Sequence, residues 1–362
     1  MALQYTLANI ALREATMRQS RALKQLLSVC VLALAVMQGG CGVGGEYQVY
    51  AGQTMGTYYR VTCDCTPGAA ALEAELQRVN GQMSNYDAQS QLSMVNRGSV
   101  GSWIPVSAEL LQVLEYAGAL HTETAGAFDI TIAPVLALWG FGPEAQALDK
   151  RPAMQALHDA RARVDGKGLS LRAQPPAVRR DRDVALDLSA IAKGHGVDRL
   201  ARLLQSLGCA HFLIDIGGEV RSQGHSRQQR PWRVGVEVPD ASRMGAVARV
   251  VRLHNQAIAT SGDYRNFIEL DGKPQANEPL RWSHTIDPRT AEPIRHGLAS
   301  VSVLASTAME ADALATALNV LGPDAGFALA QQQQLAVLFI ERTANGYQER
   351  YTAGFKDALE PL

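Results

Sequence analysis

A chain of 362 residues that is 47% hydrophobic and 19% charged has the composition of a globular protein with a large core, in one or two domains. Its 34 Lys and Arg balance 35 Asp and Glu, leaving a formal net charge of −1. With no Lys/Arg-rich block and no basic patch interleaved with aromatics, this argues against nucleic acid or an anionic membrane surface as a general partner.

The first segment reads as an export signal. "MRQSRALKQ" (17–25) is basic, "LLSVCVLALAVM" (26–37) is apolar and "QGGCG" (38–42) is small. The apolar run falls short of the ~20 residues of a spanning helix. Cys41, after Gly39 and Gly40, is the expected site of lipoprotein processing, although Gln38 stands where Leu is usual. Met17 is a candidate start, since residues 1–16 push the basic region inward. The expected division is a signal and lipobox region at 1–41, a Gly-rich tether at 42–46, one globular unit at 47–355 and a tail at 356–362. Export is expected, with Cys41 as the site of lipid attachment.

Beyond the tether, "YQVYAGQTMGTYYRVTCDC" (47–65) alternates as a strand pair around Met55-Gly56. Residues 71–87 begin as an amphipathic helix, and 107–126 form a second that ends at Gly126. Residues 127–142 are apolar and close in a Gly/Pro turn; 151–164 are a polar helix or connector. "VALDL" (184–188) predicts a strand, and 189–208 a helix ending at Gly208. "HFLIDIGGEVRSQG" (211–224) predicts strand, glycine turn, strand. Further strands are expected at 232–239, 249–260, 284–288, 299–306 and 334–343. "AMEADALATALNVLG" (308–322) predicts a helix stopped by Gly322 and Pro323, and "QQQQ" (331–334) a helix end. Strands outnumber helices and often follow one another directly. That favours an α+β fold with mixed or antiparallel sheets and packed helices. "CDC" (63–65) is a weak signal for a metal or redox pair, with no His-Cys cluster beside it, and reads better as thiols without function; a disulfide among Cys63, Cys65 and Cys209 is permitted but not indicated.

Four segments carry more polar chemistry than core packing needs. In "DLSAIAKGHGVD" (187–198), Asp187 can cap a helix whose start, with Lys193, suits an anion such as phosphate; a plain capped helix reads equally well. "DIGGEVRSQG" (215–224) allows close backbone approach to a ligand, or is simply a tight hairpin. Thr260-Ser261-Gly262-Asp263 is a polar turn able to bind phosphate, and His284 stands before Ile286-Asp287-Pro288 in a second corner. Asp312 and Thr316, one helical turn apart, put a carboxylate and a hydroxyl on one face. Two hard oxygens suit Mg²⁺; a hydrogen-bonded pair is the alternative.

Together these segments resemble the ApbE-like family of FAD:protein FMN transferases. The matching stretches run in order: "MGTYYRV" (55–61), "MSNYDAQSQLSMVN" (83–96), "GAFDITIAPVLALWGFG" (126–142), "DLSAIAKGHGVD", "IDIGGEV" (214–220), "ATSGDYRNF" (259–267), "HTIDPRT" (284–290) and "ADALATA" (311–317). The resemblance implies a T-fold-like catalytic unit and an exported, often lipid-anchored enzyme. It would bind FAD with Mg²⁺, split the pyrophosphate and attach FMN to a Ser or Thr of a target protein, releasing AMP. Asp312 and Thr316 would ligate the metal by side chain and Ala190 by its carbonyl. Met55, Tyr86, Ala127, Phe128, Asp129, Asp187, Lys193, Ser261, Gly262, His284 and Ile286 would line the FAD site. Family targets are typically membrane redox subunits with a short Ser/Thr-containing motif.

The pyrophosphate is anionic, so transfer needs charge neutralisation, which Mg²⁺ and Lys193 can supply. A hydroxyl nucleophile benefits from a base; His284 is the first candidate and Asp287 the second. The chain departs from the family pattern at Ser189, His195, Ala291 and Glu219, where Gly, an aromatic, Gly and Asp are common. Two alternatives stay open: a metal-dependent FAD pyrophosphatase, and a non-enzymatic FAD-binding lipoprotein.

Overall fold

The computed structural model describes residues 46–143, 151–243, 245–262, 267–269 and 281–361. The expected signal, Cys41 and Asp263 lie outside the described residues.

Eight strands form one antiparallel sheet in the order Gln48–Thr54, Thr57–Cys63, Phe212–Ile216, Glu219–Gln223, Ala257–Gly262, Leu298–Ala305, Ala336–Thr343 and Gly346–Tyr351. Period-two alternation decides which face each side chain joins. Phe212, Ile214 and Ile216 pack with Tyr59 and Val61 against Leu200 and Leu204 of the helix Ala192–Ser206 and Leu72 and Leu76 of the helix Ala69–Met83. Leu213, Val220, Ile258 and Leu338 turn to the other face, beneath the ribbon Trp232–Glu237/Val247–Leu253 and Phe355 of the helix Ala353–Ala358. The expected tail at 356–362 thus begins inside a helix whose Phe355 is fully buried. The α+β fold with antiparallel sheets is the one expected.

The helix Ala308–Gln332 lies on the helical face with Ala313, Ala315, Ala317 and Leu318 in the largest core cluster. It is long and apolar enough to cross a membrane by composition; its burial against the sheet accounts for that composition. Gly322, at φ 81° and ψ −176°, kinks the helix before Pro323, and helical geometry then resumes to Gln332. The expected stop is therefore a break between two helical runs: Pro323 at the start of the second lacks only an N–H that a first turn leaves unpaired.

"VALDL" is not a strand. Only Ala185 forms a bridge, to Ile132. Asn96 takes over the ladder's work by accepting from the Leu186 N–H at 2.7 Å and donating to its carbonyl at 2.9 Å. The Asp187 N–H goes to the Ile130 carbonyl at 2.7 Å. The expected strand at 249–260 is two, Val247–Leu253 and Ala257–Gly262, separated by Asn255 at φ 53°. A helix Gln91–Arg97, capped by Ser90, and a small sheet of Trp103–Pro105, Ala177–Arg180 and Leu169–Arg172 were not anticipated. Cys65 and Cys209 form a disulfide, and Cys63 stays a buried thiol.

Candidate functional site

Two helix starts meet at the end of the sheet, and each carries the other's cap. In the helix Ala192–Ser206 the residue before the first turn is Ile191, which has no capping side chain. The orphan N–H of Gly194 is satisfied from the neighbouring helix, donating to Asp312 Oδ2 at 2.9 Å. In return Asp198 accepts from the N–H groups of Ala308 and Met309, both at 3.0 Å. Asp312 and Asp198 are 5% and 2% exposed, so neither carboxylate is a solvated surface acid. Glycine makes the approach possible: a Cβ on Gly194 would lie 2.2 Å from the Ala308 carbonyl oxygen, and one on Gly196 2.8 Å from Met55 Cε.

This junction forms one wall of a cleft of about 1430 Å³. Met55, Tyr86, Ala127, Phe128, Asp129, Asp187, Ala190, Lys193, Ser261, Gly262, His284, Ile286, Asp312 and Thr316 all line it. Asp287 does not; it faces a separate pocket and Arg289 grips its carboxylate at 2.8 and 2.9 Å.

The lining residues do different things. Tyr86 is 76% exposed at the mouth, a flat ring available to cover a ligand. Phe128 buries its ring in the core. Asp129 is occupied by donors from the protein: the Thr131 N–H at 2.8 Å, the Thr131 hydroxyl at 2.6 Å, the Gly166 N–H at 3.1 Å and His121 Nδ1 at 3.3 Å. Burial alone would raise its carboxyl, but His121 and Thr131 outweigh this and hold it below the usual range. Asp187 does not cap the helix as expected. It accepts from Asn85 Nδ2 at 2.7 Å, from the Ser189 N–H at 2.8 Å and from the Ser189 hydroxyl. Ser261 accepts from Asn319 Nδ2 at 3.2 Å, and the same amide reaches Thr285 Oγ1 at 3.4 Å. That buried asparagine ties the Ser261–Gly262 strand end to the His284–Ile286 corner.

Lys193 Nζ stands between two carboxylates, 3.4 Å from Glu219 Oε1 and 3.5 Å from Asp312 Oδ1. Burial opposes its charge, but Asp312 and Glu219 outweigh it and hold the ammonium above the usual lysine range. Burial pushes the Glu219 carboxyl up, with the Lys193 ammonium beside it opposing and the Asp312 charge adding. Glu219 Oε2 is buried with no hydrogen-bond partner among the described residues. Asn85, Glu219 and the strand segment Arg233 to Glu237 also line the cleft, and sequence reasoning assigned them no role. The orphan Asn85 Oδ1 and Glu219 Oε2 become visible as binding features only once burial is known.

The donor set fits a hard divalent cation. No cluster of three His, Cys, Asp or Glu side chains suited to a metal occurs among the described residues. Asp312 keeps Oδ1 directed to Lys193 while Oδ2 is used by Gly194. Thr316 sits one turn on, and Ala190 lines the same cleft. One carboxylate, one hydroxyl and one carbonyl match an ion that keeps waters and takes phosphate oxygens for the rest.

The ApbE family's sequence model matches residues 55–339. An FAD:protein FMN transferase of Haemophilus influenzae is 37% identical over 351 residues, covering 93% of this chain and 99% of its own. One of Vibrio cholerae is 39% identical over 336 residues, covering 91% and 97%. Among solved structures, the flavin transferase ApbE from Vibrio cholerae matches with a TM-score of 0.78 at 37% identity, over 87% of this chain and 99% of that one. The apo flavinyl transferase ApbE of Pseudomonas stutzeri matches at 0.76 and 32% identity, over 86% and 96%. With its fold and nearly its whole length shared with these proteins, the chain belongs to the ApbE family.

Proposed function

We propose that this chain transfers FMN from FAD to a Ser or Thr hydroxyl of a target protein, forming a phosphoester and releasing AMP, with Mg²⁺ as its metal. The relatives above are named FAD:protein FMN transferases. The observation that carries the reading onto these residues is that Lys193, Asp312, Thr316 and Ala190 line one cleft, with Lys193 Nζ 3.5 Å from Asp312 Oδ1.

In the transfer, the acceptor oxygen bonds to the phosphorus of the FMN half. The bond from that phosphorus to the bridging oxygen breaks, and AMP leaves with that oxygen. The hydroxyl proton passes to a base. His284 lines the cleft and is the candidate; Asp287, outside the lining and held by Arg289, is poorly placed for it. Asp312, Thr316 and the Ala190 carbonyl would hold the cation, which supplies charge neutralisation at the pyrophosphate when bound. Lys193 adds a fixed positive charge beside it. Gly217 and Gly218, at φ 63° and 107°, keep the strand turn in the lining free of side chains, so backbone can approach the ligand.

The location we propose is the periplasmic side of the bacterial inner membrane, with lipid on Cys41 and a membrane redox subunit as acceptor. The Cys65–Cys209 disulfide supports an oxidising compartment. The test is to incubate the protein with FAD, Mg²⁺ and a candidate acceptor domain, then follow flavin fluorescence of the denatured acceptor and the nucleotides released. Labelled acceptor with AMP is expected. Free FMN and AMP with no labelling across candidate acceptors would mean water is the acceptor. Uncleaved FAD would mean a binding protein.

A further inference from the structure

We propose that Lys193 occupies, in the cation-free protein, the place on Asp312 that a divalent cation takes, and that Glu219 receives the ammonium when the cation arrives. The inference rests on the metal reading above and concerns how the chain prepares for the ion.

Asp312 has two oxygens and three claims on them. Oδ2 is committed to the Gly194 N–H at 2.9 Å. Releasing it would leave a buried helix-start donor without a partner, which is expensive. Oδ1 is the oxygen with no backbone donor on it, and Lys193 Nζ lies 3.5 Å from it. A Mg²⁺ ion binds its oxygens at about 2 Å. An ion on Oδ1 would therefore crowd an ammonium already at that oxygen, and two cations so close repel strongly. Loading the ion thus favours movement of the lysine away from Oδ1.

Glu219 is built to receive it. Its Oε1 is already 3.4 Å from Lys193 Nζ, so the ammonium need only shift its weight from one carboxylate to the other. Its Oε2 is buried and has no partner among the described residues, so the carboxylate retains capacity to accept. Glu219 follows the Gly217-Gly218 turn directly, and its side chain faces the helices while its neighbour Val220 packs on the opposite side of the sheet. At 4% exposure a carboxylate there needs a cation beside it. The arrangement keeps Asp312 paired before loading and keeps Lys193 charged and aimed into the cleft afterwards. Glu219 is thus a positioning residue that acts through Lys193.

The test is direct Mn²⁺ binding to the protein without FAD, read from the free-ion electron paramagnetic resonance signal. Asp312→Asn should lose binding. Lys193→Met should bind Mn²⁺ roughly tenfold tighter than the parent, because the competitor is gone. Glu219→Gln should weaken binding severalfold, because the lysine then stays on Asp312, and Glu219→Asp should restore most of it. In the Lys193→Met background, Glu219→Gln should change nothing. Unchanged affinity in Lys193→Met, or the same loss from Glu219→Gln in both backgrounds, would overturn the exchange while leaving the metal site standing. Parent-like binding by Asp312→Asn would overturn the metal reading and the exchange together. Circular dichroism melts of each variant confirm that the affinities are those of folded protein.

Discussion

Asp312 serves structure and chemistry with different atoms: Oδ2 ends one helix, and Oδ1 faces Lys193 and the cleft. The carboxylate of "AMEADALATALNVLG" was legible as out of place in an apolar helix. Its capping role was not, because Gly194 lies 118 residues away. His195 is a second buried oddity. It is 2% exposed, its Nε2 has no partner among the described residues, and burial pushes its imidazole down to about 4, with Arg202 and Arg199 adding to the effect. The unfolded chain takes up a proton near pH 6.5 that the folded chain refuses until about pH 4. Stability that is full above 6.5 is therefore lost as pH falls toward 4, by on the order of 3 kcal/mol. His195→Phe should remove this loss, so its melting temperature should pull ahead of the parent's as pH drops from 7 to 4. Parallel melting curves across that range would contradict the assignment.

The element that organises the site is the pair of helices exchanging caps. Asp198 holds the start of Ala308–Gln332 through two N–H groups and also pairs with Arg221. Asp198→Asn keeps the shape but loses the charge against that helix end, and should lower stability by about 2 kcal/mol in urea unfolding. Gly194→Ala tests the close approach. Its methyl would lie 2.2 Å from the Ala308 carbonyl oxygen and 2.8 Å from Asp312 Cβ, with backbone on one side that cannot give way. Destabilisation by about 2 kcal/mol or more is expected, together with weakened Mn²⁺ binding as Asp312 is pushed aside. A variant as stable as the parent would show that the helices are not this close. The glycines of "AKGHG" are plain in the sequence; which surface each accommodates required the fold. "VALDL" failed as a strand for a comparable reason. Its β-like composition is real, but the side chain of Asn96 replaces the partner strand. The strands Leu169–Arg172 and Ala177–Arg180 were missed because their arginines mask the alternation. Ala291, where Gly is common in the family, takes φ 60° with its methyl buried, a conformation glycine adopts more readily.

At the scale of the whole molecule, one sheet carries the cleft-lining turns at one end and the disulfide at the other. Met55-Gly56 and Gly217-Gly218 line the cleft, while Cys63 pairs in register with Phe212 at the far end of the same strands. Cys65–Cys209 spans 144 residues of sequence. Replacing both cysteines by serine should cost about 2–4 kcal/mol in chemical denaturation yet leave transfer unchanged, since neither residue lines the cleft. A large fall in turnover with little change in stability would show that the disulfide acts on the site. The ordered motifs contain many of the residues that line the cleft, but not the strand segment Arg233 to Glu237. What they did not contain was the third dimension: which carboxylates share Lys193, and which residues are already spent on holding the walls. The most direct test of the account is the intact mass of an acceptor domain after incubation with FAD and Mg²⁺, comparing the parent with Asp312→Asn. The account predicts a gain equal to FMN less water with the parent and none with the variant. The same gain with Asp312→Asn, or a gain equal to whole FAD with the parent, would contradict it.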